Sequence, residues 1–359
     1  MAAAMRTPWW AWAGPVLGMA ILIVTIIIDT RGVVAAAAAA ALIAAVFAAV
    51  YHAEVIAHRV GEPFGTLVLA VAVTIIEVTL IVTLMVGPTA DKASLARDTV
   101  FAAIMIACNG IVGLCLLLGG ARHHEQGFQV QGASAALAVL AALTTLSLIL
   151  PNVTTSVAGP LFSTSQLVFA GTASLVLYGS FVFVQTVRHR DYFLPVVGGG
   201  VATALPPSNK NTLISTALLL ASLVAVVGLA KALTPTLEIG VAWLGAPKAA
   251  IGIVIATLVL LPEGLAALNA ARANLLQTSL NLALGSALAT IGLTIPVVAA
   301  ASIALGQPLE LGLRPKEEVL LALTLFVGVV TLGTGRTTVL QGVVHLVIFA
   351  AFLFLAVAP

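Results

Sequence analysis

From Trp9 almost to Pro359, apolar runs of about twenty residues alternate with short polar connections. A helix rises 1.5 Å per residue, so each run matches the ~30 Å hydrocarbon core of a bilayer. With 61% of its residues hydrophobic and 8% charged, the chain could not cover a water-facing surface, and no stretch remains for a large soluble domain. The pattern predicts an all-α polytopic membrane protein of about eleven transmembrane helices. They fall at 8–29, 33–57, 64–87, 99–120, 133–151, 162–187, 211–233, 246–266, 276–303, 317–333 and 337–358. The first run follows Arg6 and precedes Ala35 to Ala41, as a cleaved signal would, but it exceeds the ~7–15 apolar residues of a signal and reads as a retained helix. Cys108 and Cys115 lie in one run, seven apart on one helical face, and read as packing residues. A net charge of +2 argues against a nucleic-acid partner.

The run from Phe64 to Gly87 carries Glu77 near its middle, where hydrocarbon solvates a carboxylate worst. A later run, GIVIATLVLLPEGLAAL, carries Glu263. The two acids stand 16 and 18 residues after Gly61 and Gly245, in the stretches Val60-Gly61-Glu62-Pro63 and Leu244-Gly245-Ala246-Pro247 that open their respective runs. Setting the first run aside, five spans precede the 188–210 connection and five follow it. An odd number per half inverts the second half relative to the first, so the chain divides into an extra N-terminal helix (1–32), a first five-helix repeat (33–187), a linker (188–210) and a second, inverted five-helix repeat (211–359). The two glutamates are then expected near the membrane midplane. Their matched depth argues against the plainer reading of each as a protonated carboxyl bonded to a neighbouring helix.

Two carboxylates close together in a low-dielectric site cannot both stay ionised without a cation, because desolvation and mutual repulsion both favour the acid. Such a pair holds protons or a positive ion, and competition between them is the basis of antiport. A divalent ion matches two negative charges best, and Ca²⁺ takes ~6–8 oxygens. Pro262 and Gly264 flank Glu263 and are expected to break the helix and free carbonyls. Thr74, one turn before Glu77, is a further oxygen candidate, with Asn109, Asn281, Ser286 and Thr290 on neighbouring runs.

A second polar cluster, YHAEVIAHRVGEP, holds His52, Glu54, His58, Arg59 and Glu62. His52 and His58 are six apart and do not share a face as the HExxH histidines of a zinc protease do. The cluster reads either as interfacial groups at a span end or as a proton relay or gate. Arg336 and His345, in GTGRTTVLQGVVHL, are candidates to line the glutamate cavity. Neither a nucleophile with its base nor a metal triad is present, so an enzyme is disfavoured and no resident cofactor is expected; a scaffold gives no reason for two matched acids.

The blocks HAEVIAHRVGEPFGTLVLAVAVTIIEVTLI, RDTVFAAIMIACNGIVGLCLLLGG, LLPEGLAALNAARANLLQTSLNLALGSALATIGLTIPVV and TGRTTVLQGVVHLVIFAAF, in that order, resemble the ChaA-type calcium/proton antiporters. These belong to the cation/proton exchanger family of the calcium/cation antiporter superfamily. The resemblance covers nearly all of the chain from Tyr51 and implies a ten-helix core of two inverted repeats in the cytoplasmic membrane. It places the acidic cation-binding residues on Glu77 and Glu263 and implies proton-driven Ca²⁺ export, with Na⁺ or K⁺ exchange as the alternative. Where many members have Gly-Asn before the first acid this chain has Val73-Thr74, and where they have Asn-Ala-Ala-Glu-His it has Leu261-Pro262-Glu263-Gly264, a site poorer in amides. Asp191 is the one acid in the 188–210 connection, so a calcium-sensing loop is not expected there. The basic residues Arg6, Arg59, Arg122, Arg188, Arg190, Lys210, Arg272 and Arg336, eight of fifteen, favour an N-in, C-out orientation, and the expected partners are transported cations, protons and membrane lipid.

Overall fold

A computed structural model describes residues 8–28, 30–60, 72, 74–83, 93–194, 207–243, 245, 247 and 249–358. Eleven helices of ten residues or more occur among them: α1 (Trp9–Ile27), α2 (Gly32–Val60), α3 (Thr74–Thr83), α4 (Leu95–His123), α5 (Val130–Asn152), α6 (Thr164–Arg188), α7 (Asn209–Trp243), α8 (Ala249–Arg272), α9 (Leu276–Leu305), α10 (Pro315–Leu332) and α11 (Val339–Val357). Among the described residues nine are long and apolar enough to cross a membrane. The other two are α3, described over ten residues, and α10, whose first turn carries Lys316, Glu317 and Glu318. Large apolar side chains such as Phe169, Phe326 and Phe354 are more than 60% exposed, as suits a surface solvated by acyl chains.

The helices form two compact units, Met1–Val86 with Gly200–Ile251 and Gly87–Gly199 with Gly252–Pro359. In the first, α1, α2 and α7 pack through small residues, because lipid supplies no hydrophobic drive and close backbone approach must supply dispersion instead. Gly14 and Gly18 of α1, four apart, lie against Ala44, Ala45 and Ala48 of α2 and Ala225 of α7. Helices α2 and α7 run antiparallel: Arg59 at one end of α2 donates to Asn209, while at the other Thr236 Oγ1 of α7 donates to the Thr30 carbonyl at 2.8 Å.

The second unit displays the inverted repeat. Helix α4 packs antiparallel on α11, the fifth helix of the opposite half: Gly110 faces Phe349, Gly113 faces His345 and Leu346, and Gly342 faces the Leu117 backbone. Helix α9, the counterpart of α4, packs the same way on α6: Gly171 faces Pro296 and Gly292 faces Tyr178. The loops cross-pair likewise. The α4–α5 loop forms a two-stranded sheet with the α10–α11 loop (β1 Gln126–Gly127, β2 Arg336–Thr337), and the α5–α6 loop meets the α9–α10 loop in a bridge from Leu161 to Glu310. Both fifth helices open with a Ser/Thr-x-x-Gln capping box, Ser163 with Gln166 and Thr338 with Gln341.

Among the described residues Cys108 and Cys115 are buried free thiols. Of the 188–210 linker, residues 195–206 lie outside the described residues; the part before them turns through Arg190–Phe193 and buries Phe193.

A Cβ at Gly342 would lie 2.4 Å from the Leu117 amide nitrogen, whereas one at Gly285 meets nothing within 4 Å. Gly342→Ala is expected to destabilise the protein by about 1–3 kcal/mol through overpacking, and Gly285→Ala to be neutral or stabilising. Thermal unfolding of the purified variants in detergent checks both.

Candidate functional site

Glu263 is carried by α8, and the end of that helix is held firmly. His123 Nε2 donates to the Arg272 carbonyl at 2.9 Å, and Gln126 Nε2 donates to the Ala271 carbonyl and to Asn274 Oδ1, each at 2.9 Å. The α4–β1 segment thereby fixes the height at which α8 presents its acid. Ser286 of α9 donates its hydroxyl to Glu263 Oε2, a charge-assisted bond when the carboxyl is ionised. Glu263 is half-buried, so it keeps access to an ion while being oriented by protein. The adjacent Gly264 leaves room for Ile111 of α4, which a Cβ would approach to 3.1 Å.

The expected helix break at Pro262 does not occur: α8 is continuous from Ala249 to Arg272 with Pro262 inside it. Proline lacks an N–H, so the Leu258 carbonyl alone is denied its helical donor, and membrane helices tolerate this where neighbouring groups compensate. The local donor set is therefore the carboxylate, the Ser286 hydroxyl and that one carbonyl rather than an unwound turn.

Glu77 and Thr74 lie on α3 in the first unit, one turn apart and both buried, Glu77 to 2% exposure. Thr79 points elsewhere and returns its hydroxyl to the Ile75 carbonyl at 2.6 Å. Residues 61–71, 73 and 84–92, including Glu62, lie outside the described residues.

The two asparagines singled out as ion ligands are engaged elsewhere. Asn109 sits in a π-helical stretch of α4, Ile106–Ile111, and is fully buried. Its Nδ2 donates to Thr324 Oγ1 of α10 at 2.9 Å, and its Oδ1 meets His345 Nδ1 of α11 at 3.1 Å; His345 Nε2 meets Thr331 Oγ1 at 3.3 Å. Because Asn109 Oδ1 only accepts, His345 must donate from Nδ1, and a neutral ring then accepts from Thr331. This network ties three helices together. Asn281 joins a second latch at the start of α9: Gln277 Oε1 accepts from the Gln129 backbone at 2.6 Å, Gln277 Nε2 donates to Asn281 Oδ1 at 2.9 Å, and Asn281 Nδ2 donates to the Phe193 carbonyl at 2.6 Å. Arg336 does not line a cavity with His345; it lies on β2, 74% exposed at its side chain, 3.5 Å from Glu125.

The His52 cluster does not assemble into a chain among the described residues. His52 is fully buried, with Nε2 2.9 Å from the Ala11 carbonyl and Nδ1 3.2 Å from Ser215 Oγ, so it joins α1, α2 and α7. Glu54 and His58, one turn apart, are exposed together on another face of α2, within electrostatic reach of each other.

Tyr178 of α6 was not legible in advance. Its buried ring lies over Gly292, and its phenol is within electrostatic reach of the Glu263 carboxylate. A lone hydroxyl-bearing ring in the apolar run LVLYGSF is the one signal that could have marked it.

Two inverted five-helix repeats, each with an acid on its second helix, define a multi-pass secondary transporter for cations. The chain belongs to the sodium/calcium exchanger protein family, whose sequence pattern matches residues 30–187 and 214–358, one block per half. It is 53% identical over 357 residues to the y4hA protein of Sinorhizobium fredii, covering 99% of this chain and 97% of that one. It is 38% identical to the sodium-potassium/proton antiporter ChaA of Escherichia coli, covering 85% and 83%. The crystal structure of the selenium-substituted Ca²⁺/H⁺ antiporter YfkE shares the fold with a TM-score of 0.73 at 15% identity, over 98% of both chains.

Ser286→Ala removes the donor to Glu263 and is expected to weaken apparent cation affinity on the order of tenfold, the equivalent of ~1.5 kcal/mol for a hydrogen bond to a charged group. Concentration dependence of cation-driven proton flux in vesicles measures it. His345→Leu strands the buried Asn109 Oδ1 and is expected to destabilise the fold by about 1–3 kcal/mol, seen as earlier thermal unfolding.

Proposed function

We propose that the protein is a proton-coupled Ca²⁺ exporter that works by alternating access, with Glu77 and Glu263 binding either the cation or protons. The observation that carries this reading is the half-buried Glu263 carboxyl with Ser286 donating to it, Glu77 standing at the corresponding place in the sequence of the other half. When the cation leaves, a carboxylate in this setting is poorly solvated and takes up a proton; when the proton leaves, the negative charge recruits a cation. Two such acids balance a divalent charge. Beside Glu263, Ser286, Thr290 on the same face of α9 and the Leu258 carbonyl are further oxygen candidates, and beside Glu77 Thr74 is one, with water supplying the rest. Asn109 and Asn281 serve the site through the helices they anchor. The protein sits in the cytoplasmic membrane with its N-terminus inside, so Ca²⁺ leaves as protons enter.

Na⁺ or K⁺ exchange at the same acids is the second reading, favoured by the 38% identical relative from Escherichia coli, which carries the name of a sodium-potassium/proton antiporter. A site with few amides and many hydroxyls suits either class of hard cation.

Inverted vesicles energised to a pH gradient, to which Ca²⁺, Na⁺ or K⁺ is then added, test both. Ca²⁺ is expected to collapse the gradient with wild type, and Glu77→Gln and Glu263→Gln are each expected to reduce the response to background. Retention of exchange with every cation in either variant would refute the carboxylate mechanism. Collapse by Na⁺ or K⁺ but not Ca²⁺ would transfer the function to the second reading.

A further inference from the structure

Within the first unit, α1, α3 and α7 enclose a groove of about 910 Å³. Its walls are apolar, drawn from Leu22 and Ile26 of α1, Ile75 and Ile76 of α3 and Leu223 and Val224 of α7, and among the described residues no acidic side chain lines it. Among the described residues its polar lining is Lys231, Arg31 and a few threonine hydroxyls. Thr236 bonds the Thr30 carbonyl, so one end of the groove opens at the level of the α1–α2 connection, where the bilayer meets its headgroups. Lys231 lies five residues before Thr236 on α7, roughly 7.5 Å deeper along the helix axis. It is exposed and makes no ion pair among the described residues. A lysine at that depth faces hydrocarbon unless it snorkels or meets an anion.

We infer that this groove is a binding site for an anionic phospholipid, its phosphate paired with Lys231 beside Arg31 and an acyl chain laid along the walls. The charge pattern selects this occupant. A zwitterionic lipid carries an ammonium that Lys231 disfavours, and a soluble anion has no use for the apolar walls. Apolar burial holds the chain and Lys231 holds the head, the combination by which basic pockets between membrane helices select acidic lipids. The far wall carries Ile75, Ile76 and Thr79, which flank Glu77 in sequence, so the bound lipid packs against the helix that bears the acid. The site stands independently of which cation is exchanged.

Delipidated protein titrated with phosphatidylglycerol or phosphatidylcholine and read by native mass spectrometry tests the assignment. Wild type is expected to retain phosphatidylglycerol about tenfold better, and Lys231→Gln to lower that preference roughly fivefold. Lys231→Arg should preserve it, and so should Lys210→Gln, which removes a cation from the opposite end of α7. Val224→Trp, which fills the apolar wall at an exposed position, is expected to lower retention with Lys231 intact. Equal retention of the two lipids by wild type, an undiminished preference in Lys231→Gln, or an equal loss in Lys210→Gln would each overturn the site. Proton-coupled exchange by Lys231→Gln in vesicles verifies that the variant is folded.

Discussion

In hydrocarbon a polar group has no solvent to fall back on, and this shapes the molecule more than any apolar contact does. Buried polar side chains in the second unit are drawn into short networks, each spanning helices: Ser286 with Glu263, Asn109 with His345 and Thr324, Asn281 with Gln277 and the Phe193 carbonyl. Where these bonds join elements far apart in sequence, as those of Asn109 with His345 and Thr324 and of Asn281 with Phe193 do, they fix helix heights as well as satisfying the groups themselves. The height of Glu263 is set in this way, from the hooks of His123 and Gln126 on the end of α8.

The inverted repeat is visible in packing as well as in topology. Helices α4 and α9 each lean on the fifth helix of the opposite half, through glycines that bring backbones into contact. The compact units follow this cross-packing rather than the boundary between halves, so each unit draws helices from both. A division of the chain by ancestry and one by contact are different things here: the former is a statement about orientation, the latter about which surfaces need each other.

Much of the scaffold was legible because span length and hydropathy follow from bilayer thickness alone. Apart from the run 64–87, whose ends lie outside the described residues, the expected runs and the observed helices agree within a few residues at most boundaries, α7 and α8 being the clearest exceptions: α7 runs on to Trp243 rather than ending near 233, and α8 to Arg272 rather than near 266. Matched depth also singled out Glu77 and Glu263, and Ser286 was picked out as a neighbour. What failed was inference about local geometry. Pro262 looked like a helix breaker because the rule for proline was learned in water, where a broken helix is solvated; in a membrane the unbroken form is cheaper. Asn109 and Asn281 read as ligands because an amide in a span needs a partner; the structure gives them a histidine and a carbonyl, partners that residue type alone does not name. Tyr178 was passed over because its approach to Glu263 depends on Gly292, on another helix more than a hundred residues away.

The cross-packing of α4 on α11 also bears on how the chain is made. Asn109 and His345 are separated by 236 positions, and the glycine face of α4 has its counterpart on α11, made long after it. During translation α4 is therefore inserted with its smallest, most polar face uncovered, and it must wait in lipid or beside the insertion machinery until α11 arrives. A chain that stops before Val339 keeps the bond from Asn109 to Thr324 but leaves Asn109 Oδ1 without its histidine donor and the glycines of α4 without their cover.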